Sequence, residues 1–425
     1  MSSITDTHRS SLPERALVLG LARSGEAAAL ALARRGVSVL GVDERADVDA
    51  GRLRTGGVEV VLGADDPALL DGVDLLVKSP GVPREAALVA AARERGVTIW
   101  SEVELGGRLL ANPLLGVTGT NGKTTTAELL GAVFRAADRP VAVAGNVGRP
   151  LTGLDGVIAP GAWVVCELSS FQLEDIDAFR PRIAVLLNLT PDHLDRHDTF
   201  EDYRSAKLRV FENQEADDVA IVPRGFPRVP GAGRRLEFAA DDALPAEPRM
   251  PGAHNRENAA AATAAARAAG IDDDAIAEAL RTFEGVPHRL ELVGEVEGVR
   301  FVNDSKATNP EAAERALSAY PPGLRVILGG SRKGSSYTGL ARTARDARVA
   351  CAYLIGEAAD DIAEALAAQG VRFRHSRDLE TAVREAFADA EPGEVVLLSP
   401  ACASYDQFRD FEERGTRFRE FVEAL

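Results

Sequence analysis

The stretch LLGVTGTNGKTTTAELL, residues 114–130, decides the fold of the middle of the chain. Its apolar run predicts a buried strand, a polar loop follows, and a helix is predicted from Lys123. Gly119 and Gly122 have no Cβ, so the loop can close around a phosphate at the positive end of that helix. Lys123 supplies a cation, and Thr124 supplies a hydroxyl where phosphate-bound Mg²⁺ would be expected. The stretch predicts a nucleoside triphosphate site, although Val117 stands where the usual first glycine is expected. A plain glycine-rich turn is the alternative.

Composition limits the possible classes of protein. The chain has 425 residues, of which 45% are hydrophobic and 27% charged, as expected for a soluble protein of about two to four domains. A net charge of −16 argues against nucleic-acid partners and anionic membrane surfaces. Three cysteines without CxxC spacing argue against thiolate metal sites and favour a reducing cytoplasm. No apolar run predicts a signal peptide or a membrane span.

The first segment predicts a βαβ unit with a nucleotide-binding turn. Strands 16–19 and 37–42 flank an alanine-rich helix. Ala22 replaces the second glycine of the dinucleotide fingerprint, which makes a nicotinamide cofactor doubtful. Asp43, at the end of the second strand, either binds a ribose or caps a helix, and the pattern does not decide between them. A later strand ends in the rigid loop 78–83, at the edge where open α/β sheets hold ligands.

In the second segment, polar residues follow several predicted strands. Glu167 ends one strand, and a carboxylate there is where a Mg²⁺ ligand is expected. His193 follows the next strand and shares an edge with Lys123, which favours a functional role over a structural one. Lys207 lies in a helical pattern, and from the pattern alone it is expected to be a solvated surface residue.

The third segment begins near Pro287. Before it, Asn255 and Asn258 lie three residues apart on one face of a predicted helix, where they either bind a ligand or cap the helix. Within it, three predicted strands end in loops that carry lysines and hydroxyl groups. Such loops suit anionic carboxylates or phosphates.

These patterns predict an α/β protein of three domains. The N-terminal domain, 1–102, and the C-terminal domain, 287–425, are expected to be Rossmann-like, and the central domain, 103–286, is expected to have a P-loop ATPase-like parallel sheet. A triphosphate site between two other ligand-bearing segments suits ATP-dependent ligation, in which a carboxylate becomes an acyl phosphate and an amine displaces the phosphate.

Ten motifs together resemble the Mur ligases of peptidoglycan synthesis over essentially the whole chain: TGTNGKTTT, GNVG, ELSSFQLE, NLTPDHLDRH, AKLRVFEN, HNRENAAAA, HRLE, NDSKATN, LGG and SPACASYDQF. The phosphate loop, ELSSFQ and HNRENAAAA also occur in folylpolyglutamate synthases. NDSKATN and SPACASYDQF are more typical of the member that adds D-glutamate. Two positions are not explained by the resemblance. Ala22 replaces a commoner glycine, which leaves the uridine contacts open, and Arg332 has no assigned role.

The resemblance implies an ATP-dependent ligase that adds D-glutamate to UDP-N-acetylmuramoyl-L-alanine. It further implies two Mg²⁺ ions, a CO₂-derived carbamate on Lys207, and a cytoplasmic monomer without nucleic-acid or membrane partners. Other ligases of this group, a P-loop NTPase acting as a switch, and an NAD-dependent oxidoreductase are the alternatives.

The resemblance also implies roles for individual residues. For ATP and the metals these are Gly119, Thr120, Asn121, Gly122, Lys123, Thr124 and Thr125 at the phosphates, Asn255, Asn258, Arg289 and Asp304 at the nucleotide, and Thr124, Glu167, His193 and Lys207 at Mg²⁺. Lys306 is expected near the transferred phosphate, and with Lys123, His193 and Lys207 it forms the catalytic set. The UDP-sugar contacts are Arg23, Ser24, Asp43, Glu44, Arg45, Ser79, Gly81 and Asn146. The D-glutamate pocket comprises Thr308, Lys333, Ser404 and Phe411.

Overall fold

Three largely parallel β-sheets form the framework of the protein. The computed structural model describes residues 12–192, 196–250, 252–332 and 335–425. The chain divides into two compact units, Met1–Phe283 and Glu284–Leu425. The first unit holds two of the sheets, and the second unit holds the third.

The N-terminal sheet has five parallel strands in the order β3-β2-β1-β4-β5. Its elements are β1 Arg15–Leu19, α1 Arg23–Arg34, β2 Ser38–Asp43, α2 Gly51–Thr55, β3 Glu59–Leu62, β4 Leu75–Lys78, α3 Ala87–Glu94, β5 Thr98–Ser101 and α4 Glu102–Leu109. The central strand β1 is apolar and buried along most of its length, because helices cover both faces of the sheet.

The central sheet has six parallel strands in the order β11-β10-β9-β6-β8-β7. Its elements are β6 Leu114–Thr118, α5 Lys123–Ala136, β7 Val141–Gly145, β8 Trp163–Glu167, α6 Ser170–Leu173, β9 Ile183–Leu186, α7 Phe200–Leu208, β10 Val219–Pro223, β11 Arg234–Phe238, α8 Ala253–Ala268 and α9 Asp273–Thr282. Strand β6 lies inside the sheet, between β8 and β9, and the loop after it is the predicted phosphate loop.

The second unit has a six-stranded sheet in the order β12-β13-β17-β14-β15-β16. Its elements are β12 Glu291–Val296, β13 Val299–Asn303, α10 Pro310–Ser318, β14 Arg325–Gly329, α11 Thr338–Asp346, β15 Cys351–Ile355, α12 Ala359–Ala368, β16 Phe373–Arg377, α13 Leu379–Asp389, β17 Val395–Leu398 and α14 Phe411–Glu423. Among the strands of the described residues in this unit, the edge pair β12 and β13 is antiparallel and the other pairs are parallel.

The predicted α/β class and the three parallel-sheet modules are confirmed. Strand β1 begins at Arg15, one residue before its predicted start, and β2 ends at Asp43, one residue after its predicted end. The helix that carries Lys207, α7, ends at Leu208, and a 3₁₀ turn, Arg209–Phe211, follows. Within the described residues, no helix is long and apolar enough to cross a membrane.

Helix α4 joins the two sheets of the first unit through buried carboxylates. Glu102 accepts hydrogen bonds from the backbone N–H of Thr152 at 2.6 Å and from its hydroxyl at 2.7 Å. Glu104 accepts the backbone N–H groups of residues 177, 178 and 179. These bonds fix the N-terminal sheet to loops of the central sheet. Burial raises the pKa of Glu102 to about 7, against the opposing effect of the bonds from Thr152.

We expect Glu102→Gln to change the pH dependence of stability. The folded protein holds a proton on Glu102 more tightly than the unfolded chain does, so the wild type loses stability as pH rises from about 4.5 through 7. The variant has no such proton, and its stability relative to the wild type should rise by roughly 2.5 kcal/mol between pH 5 and pH 8. Denaturant unfolding monitored by tryptophan fluorescence measures this, because both tryptophans, Trp100 and Trp163, lie in the first unit.

Glu94→Gln is the matched control, since Glu94 is exposed on α3. Its stability difference from the wild type should stay nearly constant with pH. A constant difference for Glu102→Gln as well would contradict the prediction.

Candidate active site

The loop between β6 and α5 needs its two glycines for different reasons. Gly119 and Gly122 have φ angles of 149° and 84°, which residues with a Cβ rarely adopt. A Cβ on Gly122 would also lie 2.2 Å from Oδ1 of Asn258 on α8. Asn258 therefore lies directly against the point where α5 begins, which suits the predicted contact with a bound nucleotide.

Side chains of the neighbouring loop after β9 hold the phosphate loop in place. Asn188 accepts the backbone N–H of Asn121 at 2.9 Å and donates to its carbonyl at 3.2 Å. The hydroxyl of Thr120 accepts the N–H of Thr190 at 3.0 Å and lies 2.9 Å from the hydroxyl of Tyr203. The loop is thus fixed before any ligand binds, which reduces the entropic cost of binding phosphate.

The predicted cation and metal ligand lie at one edge of the central sheet. Lys123 Nζ donates to the carbonyls of Gly119 and Thr120 at 2.9 and 2.8 Å, which places the ammonium over the loop. Glu167 is buried opposite Val117 in the parallel register of β6 and β8, and it accepts a hydrogen bond from Asn146 at 3.0 Å. Thr124 and Thr125 are buried in the first turn of α5.

Lys207 is buried, which corrects the expectation from the helical pattern alone. Lys207 is 2% exposed, and its Nζ lies 4.8 Å from the ring centre of Tyr203. The pattern failed because α7 has only a weak apolar face, although Tyr203 on the same helix contacts Thr120 of the phosphate loop. Burial, followed by repulsion from Lys123, lowers the pKa of Lys207 to about 6, while Asp192 and Glu167 act in the opposite direction.

Two predicted site residues, His193 and Lys333, lie outside the described residues. Among the residues that are described, no group of three histidine, cysteine or carboxylate side chains is placed to hold a metal. Thr124 and Glu167 are described residues near the phosphate loop that could contribute oxygen ligands.

The predicted UDP-sugar contacts gather at the carboxyl edge of the N-terminal sheet. Asp43, at the end of β2, accepts the N–H of Leu21 at 2.7 Å and also binds Arg45. It therefore holds the turn before α1 rather than capping a helix, and Arg45 lowers the pKa of its carboxyl group against the effect of burial. Ser79, after β4, donates to the carbonyl of Gly20 at 2.6 Å.

The remaining predicted UDP-sugar contacts lie on accessible loops. Arg23 begins α1 and donates to the carbonyl of Gly148 at 3.2 Å, which links this edge to the GNVG loop. The others range from half-buried to exposed: Ser24, Glu44, Gly81 and Asn146. The edge thus combines backbone N–H groups, arginines and hydroxyls, the groups that bind diphosphates.

In the second unit, a buried arginine binds the loops after β13 and β17. Arg414 has no exposed surface and donates to the hydroxyl of Ser305 at 2.9 Å and to the carbonyl of Cys402 at 3.1 Å. Asp304 accepts bonds from Ser399 at 2.9 Å and from the N–H of Leu290 at 3.2 Å. Burial raises the pKa of Asp304 to about 6.

The residues predicted for the amino-acid pocket that the structure describes lie near the ends of neighbouring strands of the same sheet. Lys306 Nζ lies 6.0 Å from the ring centre of Phe411, the first residue of α14. Thr308 is half-buried after β13, and Ser404 is buried after β17, the strand beside it. Arg289, predicted at the nucleotide, is half-buried before β12. Arg332, which the motifs left unassigned, pairs with Asp361 of α12 at 2.8 Å.

Sequence reasoning missed three residues that organise these sites. Asn188 lies within a recognised motif and Tyr203 lies beside one, but neither residue was assigned a role. Arg414 lies in an amphipathic helix whose pattern is typical of a surface helix. A polar residue directly after an apolar strand, as at Asn188, was the available signal. For Arg414 no sequence signal indicated burial.

Comparisons with known proteins indicate the same family along the chain. Three family models match it: "Mur ligase MurD-like, N-terminal domain" over residues 14–101, "Mur ligase middle domain" over 117–239 and "Mur ligase, glutamate ligase domain" over 288–402. The chain is 43% identical over 437 residues to the UDP-N-acetylmuramoylalanine--D-glutamate ligase of Solibacter usitatus, covering 97% of this chain and 98% of the relative. It is 40% identical over 452 residues to the protein of the same name from Myxococcus xanthus, with the same coverage.

A solved structure extends the comparison to the fold. UDP-N-acetylmuramate-alanine ligase MurC from Thermotoga maritima aligns with a TM-score of 0.59 at 20% identity, covering 96% of this chain and 99% of that one. At this identity the likeness supports the fold alone.

We expect Gly122→Ala to abolish nucleotide binding while the protein stays folded. The new Cβ would collide with Asn258 and displace it or the loop. Gly161→Ala is the matched control, because Gly161 has a φ of 75° but nothing within 4 Å of the position that a Cβ would occupy. Both variants should lose about 1–2 kcal/mol of stability from the left-handed backbone. Only Gly122→Ala should lose ATP affinity in calorimetric titration, and equal affinities in the two variants would contradict this.

Proposed function

The chain belongs to the Mur ligase family, and on that premise we propose that it is the ligase that joins D-glutamate to UDP-N-acetylmuramoyl-L-alanine. The reaction consumes ATP and gives ADP and phosphate, and it forms an amide in a peptidoglycan precursor. The observation that carries the proposal is the near full-length similarity to relatives that bear this name. The phosphate loop supplies the site that an ATP-dependent reaction requires.

The reaction needs a carboxylate to be activated and then attacked. The alanyl carboxylate of the UDP-sugar takes the terminal phosphoryl group of ATP, and the D-glutamate amine then displaces phosphate from the acyl phosphate. The loop N–H groups and Lys123 bind the phosphates and neutralise developing charge. In this proposal Lys306 also lies near the transferred phosphoryl group.

The residues around the phosphate loop fit Mg²⁺, because they offer a buried carboxylate and a hydroxyl beside a phosphate site. Thr124 and Glu167 would hold one ion, and His193 and Lys207 would hold a second. The ions would supply positive charge that screens the phosphates from the incoming carboxylate.

A carbamate on Lys207 explains how a lysine could serve as a metal ligand. An uncharged amine adds to CO₂ and releases one proton, which gives an anionic carbamate with two oxygens. The burial of Lys207 favours this uncharged form, since its pKa is lowered to about 6. The nearby Lys123 would stabilise the resulting negative charge.

The other ligand contacts are part of the same proposal. Asn255, Asn258, Arg289 and Asp304 contact the nucleotide. The edge that carries Asp43 and Ser79 binds the UDP-sugar. Thr308, Lys333, Ser404 and Phe411 bind D-glutamate, whose two carboxylates call for cations and hydroxyl donors while the amine stays free. The D configuration is taken from the relatives.

We further propose that the work is divided among three domains, 1–102, 103–286 and 287–425, and that the protein acts as a cytoplasmic monomer. The three cysteines are buried, and the described residues form no disulfide, which suits a reducing compartment. The net charge of −16 supports the expectation that no nucleic acid is bound.

We expect Lys207→Ala to reduce ligation by about 100-fold, the upper end of losses seen when the support of a metal site is removed. An added short carboxylic acid should restore part of the activity by filling the gap, whereas bicarbonate should not, because no amine remains. Wild-type enzyme in CO₂-depleted buffer should lose activity and regain it with bicarbonate. ADP release measures each case. Bicarbonate independence of the wild type together with an active variant would contradict the carbamate.

The substrate assignment is tested by measuring phosphate release with ATP, Mg²⁺ and UDP-N-acetylmuramoyl-L-alanine across several amino acids. We expect rapid release with D-glutamate and slow release with L-glutamate, neutral amino acids and meso-diaminopimelate. The cation and hydroxyls of the proposed pocket would select an amino acid that has a second carboxylate but no second ammonium group. Equal rates with L-glutamate or meso-diaminopimelate would exclude this assignment but leave the ligase class intact. Release that depends on folate would indicate a folylpolyglutamate synthase.

A further inference from the structure

Glu174 ends the motif ELSSFQLE, and the mechanism above gives it no role. It follows α6 directly, and its two carboxylate oxygens face different elements. Oε2 lies 3.9 Å from Nζ of Lys78, and Oε1 lies 3.4 Å from Nδ1 of His197. One carboxylate therefore contacts both the N-terminal sheet and the segment that precedes α7.

On the N-terminal side, the contact reaches the last residue before the loop proposed to bind the UDP-sugar. Lys78 ends β4, is 1% exposed and immediately precedes Ser79. Its Nζ also lies 2.9 Å from Asp175 Oδ2, an ion pair whose angles do not suit a hydrogen bond. The carbonyl of Asp175 accepts the N–H of Ser101 at 2.8 Å. Residues 174 and 175 thus hold the ends of two adjacent strands, β4 and β5.

On the other side, His197 is enclosed by α6 and α7. Its Nε2 lies 3.0 Å from the hydroxyl of Ser170. Its ring stacks on Phe171 at 5.5 Å and meets Tyr203 edge-on at 5.4 Å between ring centres. Tyr203 in turn contacts the phosphate loop through Thr120.

A neighbouring residue reinforces the connection. The guanidinium of Arg196 lies 4.5 Å over the ring of Phe171 and donates to the carbonyl of Val82 at 3.3 Å. Val82 belongs to the same 79–83 loop that follows Lys78. The segment from 196 to 203 therefore touches the UDP-sugar loop, α6 and the phosphate loop.

The contacts of Glu174 depend on its charge, because the group is partly shielded from water. Burial raises the pKa of Glu174, and Lys78 opposes this effect. In a desolvated group of charges, removing one member leaves the others without compensation. A neutral side chain at position 174 would therefore disturb both sides of the contact.

We propose that Glu174 is a positioning residue for UDP-sugar binding: through Lys78 and His197 it fixes the 79–83 loop relative to the segment that leads to Tyr203 and the phosphate loop. The inference rests on the proposed function, because it assumes that the 79–83 loop binds the UDP-sugar. Glu174 acts on the distance between the substrate carboxylate and the transferred phosphate, and does not touch either.

The test compares Glu174→Gln and His197→Phe with the wild type. Gln removes the charge, and Phe keeps the ring between Phe171 and Tyr203 but removes both nitrogens. Calorimetric titration with UDP-N-acetylmuramoyl-L-alanine should show affinity about tenfold weaker in each variant, the lower end of losses from supporting partners of a site. KM values for ATP and D-glutamate should stay within about twofold.

Glu102→Gln is the matched control, because Glu102 is also buried between the two sheets but accepts its hydrogen bonds from Thr152, and glutamine can still accept them. It should bind the UDP-substrate as the wild type does. Glu174→Asp, which keeps the charge, should recover part of the lost affinity.

Wild-type affinity for the UDP-substrate in both test variants would overturn the proposal. An equal loss of affinity for all three substrates would also overturn it, because such a loss indicates general destabilisation. If Glu174→Gln does not fold, His197→Phe decides the question by the same criteria. Failure of the wild type itself to bind the UDP-substrate would instead contradict the proposed function.

Discussion

The parallel pairing of β6 with β8 and β9 is the constraint on which the central site depends. Because the three strands run in one direction, their carboxyl ends meet at one edge, and each delivers one part of the site. β6 delivers the phosphate loop, β8 delivers Glu167, and β9 delivers Asn188. The apolar interior of the sheet fixes this register, since a shift of one residue would move every buried side chain to the opposite face.

Buried polar groups make the site rigid but also require compensation. Asn188, Thr120 and Tyr203 form hydrogen bonds around the phosphate loop. At Lys207, burial instead keeps the amine largely unprotonated near neutral pH, because its pKa falls to about 6. A lysine in that state is a nucleophile rather than a cation, so its location changes its chemistry. The same reasoning applies to Glu102 and Asp304, whose burial favours the protonated form.

The first unit shows how two sheets come to act together. Glu102 and Glu104 of α4 bind backbone groups of the central sheet's loops, and the ion pair of Lys78 with Asp175 adds a second connection nearer the ligand-binding edge. Both connections depend on polar groups that are excluded from water, and the second is an ion pair. The stability that these connections give therefore depends on their geometry, because a buried charge that loses its partner destabilises the folded protein.

The sequence by itself determined the α/β class, the three sheets, the phosphate loop and the family, because these depend on local periodicity and on short motifs whose glycines and lysine act through the backbone beside them. It also predicted which strand ends carry polar groups that could bind ligands. Burial was decided only by the tertiary structure. Lys207 and Arg414 lie in helices whose patterns resemble exposed ones, and their burial follows from what packs against them. The partners of Glu174 lie 96 and 23 residues away in the chain, so only the folded arrangement brings the three together.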